Sequence, residues 1–80
     1  MSEQMIRLHQ MKTGQRCIVE NLLGRTRFLS RASSMGFVPK TVITMISNGK
    51  RGPLIVRLRD SEIAIGRKEA DKIIVRGERP

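Results

Sequence analysis

Catalysis or metal binding in this chain would have to begin from its one histidine, His9, its one cysteine, Cys17, or a pair of acids such as Asp60 and Glu62. His9 lies in an irregular lead-in and reads as a surface side chain rather than an acid–base catalyst. Cys17 falls on the inward face of a strand, where a cysteine behaves as a small apolar residue. The pattern places no histidine or cation beside it to activate a thiolate. Asp60 and Glu62 sit in a hairpin next to Arg57 and Arg59. A solvated cross-strand ion pair accounts for them better than a two-carboxylate site. Zinc needs three or four ligands at close spacing, and one His and one Cys on different elements do not supply them. Of the five methionines, Met35 and Met45 fall at core positions and the others in the lead-in. A Gly-rich phosphate loop and a dinucleotide fingerprint are both missing. These residues point away from an enzyme, and neither a cofactor nor a metal is expected.

What the chain does have is positive charge. Sixteen Lys and Arg against seven Asp and Glu give +9, and eleven of the sixteen are Arg. Such a surplus attracts phosphates, acidic proteins or anionic membrane surfaces. Sequence-tolerant single-strand binders add aromatic stacking platforms to a basic groove. This chain has no Trp or Tyr, and its two Phe have core or cap positions, so nucleic acid is not the favoured partner. Grooves that read proline-rich peptides also need aromatic walls. The single cysteine forbids an internal disulfide and fits a reducing compartment. "MSEQMIRLHQ" carries no apolar run of signal-peptide length, and no stretch approaches a membrane span, so the expected location is cytoplasmic.

The elements that must position these charges are short. Eighty residues imply one domain, 1–80, with 1–7 and 77–80 loosely ordered. Leu8 and Met11 drop into the core from the lead-in. Thr13-Gly14 makes a turn, and the first strand follows with Cys17 and Val19 on one face and Arg16, Ile18 and Glu20 on the other. Gly24 ends that unit. "RTRFLSRASSMG" has helical spacing: Phe28, Ala32 and Met35 form the apolar stripe, and Arg25, Arg27 and Arg31 lie off it. Gly36 is placed for a left-handed cap and Phe37 for the contact that folds back on the last turn. Pro39 stops the helix and drives Val38 extended. "TVITMIS" is a strand, and "NGKRGP", with Lys50, Arg51, Gly52 and Pro53, is a loop. "LIVRLRD" and "SEIAIG" pair as a hairpin through a tight turn at Asp60-Ser61. In them Leu54, Val56, Leu58, Ile63 and Ile65 face inward. One helical turn with Ala70 inward and a last strand with Ile73 and Val75 inward complete the chain. The fold class is mainly β: a small antiparallel barrel of about five strands, with a short helix after the first strand and a helical turn before the last.

Four motifs in order carry a resemblance. They are "LHQMKTGQRCIV", "FLSRASSMGFVPKTVITMI", "GPLIVRLRD" and "IAIGRKEADKIIV". Together, from Leu8 to Val75, the chain resembles the ferrous iron transport protein A (FeoA) family of SH3-like barrels that accompany the FeoB transporter. The family motifs fall on Gly14, Met35, Gly36, Phe37, Pro39, Gly52, Pro53 and Ala70. Lys40 departs from the pattern, since the family usually has Gly after that Pro. Its turn must avoid the left-handed backbone or hold Lys there at a cost of about 1 kcal/mol. The resemblance implies a non-enzymatic, cytosolic accessory of bacterial ferrous iron uptake. It would act by protein contact with FeoB, on its GTPase portion or membrane core, and so be peripheral to the membrane through that partner. The docking surface expected from the basic clusters is Arg25, Arg27 and Arg31 together with Lys50 and Arg51 of the "NGKRGP" loop. A basic nucleic-acid-binding barrel is the alternative, as is a stand-alone relative of the C-terminal domain of iron-dependent repressors. An exposed sheet edge or the short helix is where self-association would occur.

Overall fold

The computed structural model describes residues 4–77. In chain order the elements are β1 (Met5–Arg7), a 3-10 turn (Leu8–Gln10), β2 (Arg16–Leu22), α1 (Thr26–Met35), β3 (Val42–Ser47), β4 (Leu54–Leu58), β5 (Ser61–Ile65), α2 (Arg67–Ala70) and β6 (Ile73–Gly77). The strands form one antiparallel sheet in the order β1-β6-β2-β3-β4-β5. Among the described residues six strands are present where the sequence pattern yields about five. The additional one, β1, is three residues long and too short to show alternation, and it exists by pairing Ile6 with Val75 of β6. Residues 5–7 and Gly77 are thus sheet residues rather than loose ends. The other residues of those two expected loose segments lie outside the described region, apart from Gln4, which is in no strand or helix.

Alternation decides what the strands bury. Cys17, Val19, Ile43, Met45, Leu54, Val56, Leu58, Ile65, Ile73 and Val75 point into one core, joined by Phe28 and Ala32 of α1, Phe37, and Ala70 of α2. Leu8 and Met11 enter it from the lead-in, with 0% and 1% of their surface exposed. Ile63 and Met35 pack on its margin, half-buried. Two bulges, one between Val19 and Asn21 and one between Met45 and Ser47, interrupt the ladder where the sheet bends around this core.

The helix exit follows its sequence signal. Gly36 takes φ +102°, its N–H donates to Ser33 O at 3.0 Å, and Phe37 N–H reaches back to Ala32 O at 2.9 Å. That is a Schellman closure with Phe37 as its buried contact. A Cβ at position 36 would lie 2.4 Å from Leu58 Cδ2, so the close approach of β4 reinforces the backbone's demand for glycine. Val38-Pro39-Lys40-Thr41 then forms a turn closed by Thr41 N–H to Val38 O at 3.2 Å. Pro39 occupies its second position and Lys40, at φ +77°, its third, where a type II turn favours glycine. Lys40 tolerates the left-handed backbone because β2 holds both sides of the peptide. Its N–H donates to Val19 O at 2.7 Å, and Val19 N–H donates to Thr41 O at 2.9 Å.

The β4–β5 turn is one residue earlier than the pattern suggests. Leu58 pairs with Ser61, so Arg59-Asp60 is the two-residue loop, and Arg59 adopts φ +59° instead of extending β4. Arg57 and Glu62 face each other in the register, and their side chains pair at 2.6 Å, as a cross-strand ion pair should.

Candidate functional site

Arg25, Arg27 and Arg31 converge. With Gly24, Phe28, Glu69 and Lys72 they line an open cleft of about 460 Å³. Local sequence explains each position. Arg25 is the extended residue at the helix entrance, and Leu29 N–H donates to its carbonyl at 3.0 Å. Arg27 and Arg31 are four apart and so share one helix face. Phe28 belongs to the core stripe, and the 8% of it that stays exposed lies in the cleft lining. The opposite wall comes from the segment around α2. Leu23 N–H donates to Lys72 O at 2.7 Å, which pins the approach to α1 against the entry to β6. Lys72 Nζ then lies 5.1 Å from the centroid of the Phe28 ring, within cation–π range.

Gly24 makes this closeness possible. A Cβ there would stand 3.1 Å from Phe28 Cδ2 and 3.3 Å from Lys72 Cδ, and its φ of +116° is a glycine conformation. Among the described lining residues Glu69 is the one acid, and its Oε2 sits 2.9 Å from a terminal nitrogen of Arg31. Four cations and one anion leave three net positive charges on the described lining. α1 carries no acid in its first turn and no side-chain cap, so its positive end adds to the same field.

Lys50 and Arg51 do not line this cleft. They project, exposed, from the β3–β4 loop, followed by exposed Gly52 and Pro53. The loop's base is anchored by Asn48. Its Nδ2 donates to His9 O at 2.9 Å and Met11 O at 2.6 Å, its backbone N–H donates to Thr13 Oγ1, and its Oδ1 accepts from Arg67 at 3.0 Å. Arg67 also donates to Gly49 O. α2 therefore braces both basic regions, through Arg67 on one side and Glu69 on the other, yet keeps them apart. Gly14 N–H donates to Met45 O at 2.7 Å, and Ala70 is fully buried, so both serve the frame.

His9 Nε2 lies 2.8 Å from Asp71 Oδ1, with Arg7 donating to Asp71 O at 2.6 Å. Cys17 is buried in the core. Among the described residues no three His, Cys, Asp or Glu side chains gather as a metal site. Among the described residues no helix is long and apolar enough to cross a membrane.

A family model for the FeoA domain matches residues 6–77. The chain belongs to the FeoA family. Over 71 residues it is 32% identical to an Fe(2+) transport protein A/Fe(2+) transporter FeoB fusion protein of Porphyromonas gingivalis. That stretch covers 88% of this chain and only 8% of the fusion protein. Among solved structures, the crystal structure of an iron uptake regulatory protein (FeoA) superposes with a TM-score of 0.90 at 29% identity. The match covers 94% of this chain and all of that one. The zinc-complexed FeoA of Stenotrophomonas maltophilia, described as a procaryotic SH3 domain protein, matches 88% of each chain at TM-score 0.77 and 21% identity. A manganese-dependent transcriptional repressor matches 98% of this chain with 44% of its own, at TM-score 0.87 and 15% identity. The FeoA chain is thus an SH3-like antiparallel barrel, and the repressor shares that fold.

Sequence spacing singled out the three arginines of the cleft but not Glu69, Lys72 or Asn48. Glu69 and Lys72 reach the cleft through the pairing of β6 with β2, which sets residues more than forty positions apart side by side. Gly24, placed by the sequence pattern as the end of the first strand, also lets Phe28 and Lys72 close over it.

Proposed function

We propose that this FeoA chain is a non-enzymatic accessory of ferrous iron uptake. It acts in the cytoplasm by contact with a FeoB-type transporter and meets it through the cleft face of Arg25, Arg27 and Arg31. The observation that carries the reading is the P. gingivalis relative, in which an equivalent stretch and a Fe(2+) transporter are one polypeptide. Covalent linkage keeps two modules at high effective concentration, which serves modules that work on each other. The S. maltophilia structure adds support, having been presented as a candidate activating factor of ferrous iron transport. A contact role also suits the chemistry. His9 is engaged with Asp71, Cys17 is core, and Glu62 is paired with Arg57, so the reading assigns no residue a catalytic step.

The test is capture of the detergent-solubilised FeoB-type transporter from the same genome on immobilised protein. Retention at about 0.15 M salt is expected, with release as salt rises. Absence of retention even at about 0.05 M salt would overturn the partnership.

The repressor likeness favours a second reading, a stand-alone relative of a repressor's SH3-like domain. It would show as retention on a repressor-type protein and not on the transporter.

A further inference from the structure

The described lining of the cleft sets three net positive charges around Phe28. We propose that it takes an acidic, extended segment of the partner protein, with one apolar side chain set on Phe28 and carboxylates on Arg25, Arg27 and Lys72. Glu69 stands in the cleft as an internal competitor. This deepens the docking reading given above and rests on it.

The geometry favours a peptide over other anions. Arg31 already binds a carboxylate, that of Glu69, at 2.9 Å, so the cleft displays its own mode of acid recognition. Among the described residues neither Arg25 nor Arg27 pairs with an acid, and both are exposed. The floor is apolar, which a free inorganic anion would not use. A nucleic-acid strand needs an aromatic face to stack on. The one ring in the cleft is 8% exposed, and Lys72 already lies over it. The cleft is open rather than enclosed and is bounded on two sides by α1 and the α2–β6 segment, a shape that suits a chain lying across it.

Glu69 makes the proposal testable by a gain. Glu69→Gln keeps the side-chain volume and removes the resident negative charge, so Arg31 becomes available to the incoming segment. The opposite perturbation, Arg25→Glu with Arg27→Glu, removes the attraction without threatening the fold. Arg25 makes no side-chain cap, and an acid in the first turn of α1 favours the helix.

The probe is a short fluorescent peptide of Asp and Glu with one central leucine, read by anisotropy. A serine-centred peptide and a single-stranded oligonucleotide of equal charge are the controls. The acidic peptide is expected to bind at low salt, the serine version several-fold more weakly, and the oligonucleotide more weakly than either. Glu69→Gln is expected to tighten peptide binding roughly threefold, and the double reversal to weaken it by at least about tenfold at unchanged melting temperature. Absence of peptide binding, indifference to both substitutions, or equal binding of the oligonucleotide would each overturn the proposal. Capture of the transporter separates this inference from the partnership beneath it. Equal capture by the wild type and the double reversal would leave the partnership standing and remove the cleft. Peptide binding without capture would do the reverse.

Discussion

The chain carries two basic clusters that look alike in sequence and differ in space. Arg25, Arg27 and Arg31 stand on and beside a capped helix, across from Lys72 and over the edge of a core phenylalanine. Lys50 and Arg51 stand on a loop whose base is tied down by Asn48 but whose tip faces solvent. Among the described residues the first cluster has an apolar floor, an opposite wall and a resident acid, while Lys50 and Arg51 stand exposed. The backbone that carries Arg27 and Arg31 is fixed by a packed helix, whereas Lys50 and Arg51 stand on loop backbone that must be ordered whenever they make a contact. On the docking proposal, what separates the two clusters is regular structure that sets the first one's charge beside an apolar floor.

The strongest way to break the first region is through its helix exit. Gly36→Ala must strain a +102° φ and displace Leu58, which should cost about 2–3 kcal/mol and lower the melting temperature by about 10 °C or more. Thermal denaturation followed by circular dichroism reads this directly. Next in size is the contrast between the clusters themselves. Arg25→Glu with Arg27→Glu should weaken transporter binding by about 2 kcal/mol, while Lys50→Glu with Arg51→Glu should change it by less than about 0.5 kcal/mol. Titration calorimetry on both double variants at one salt concentration makes the comparison.

The loop region breaks through its anchor. Asn48→Ala takes one donor from each of two backbone carbonyls and one acceptor from Arg67, which keeps Gly49 O, and should cost about 1–2 kcal/mol in urea unfolding, with transporter binding unchanged. The smallest effect is a gain. Lys40→Gly relieves the left-handed backbone of its turn and should stabilise the fold by about 0.5–1 kcal/mol without touching either cluster. Urea unfolding is again the readout.

Much of this frame was legible in the sequence because the signals were local. Two-residue alternation marks Leu54, Val56 and Leu58 as core, and the run from Met35 to Pro39 spells a helix stop whose every hydrogen bond is present. Long-range pairing was not legible. β1 has three residues and exists only because β6 offers an edge, and the hairpin turn moved by one residue because Arg59 accepts a positive φ. The cleft was half visible for the same reason. Its arginines lie within seven consecutive residues, whereas Glu69 and Lys72 arrive by way of the sheet. The expectation that Lys50 and Arg51 share a surface with the arginines rests on basic clusters at loop-rich ends beside a helix cap, and such local signals carry no information about which elements are neighbours.

The most direct test is to map the contact by amide chemical shifts of the labelled protein on adding the cytoplasmic portion of the FeoB-type transporter. The account predicts perturbations concentrated at residues 24–31 and 69–72, fading as salt rises, with 49–52 unmoved. Shifts centred on the 49–52 loop or on the open edge of β5, or no shifts at all, would contradict it.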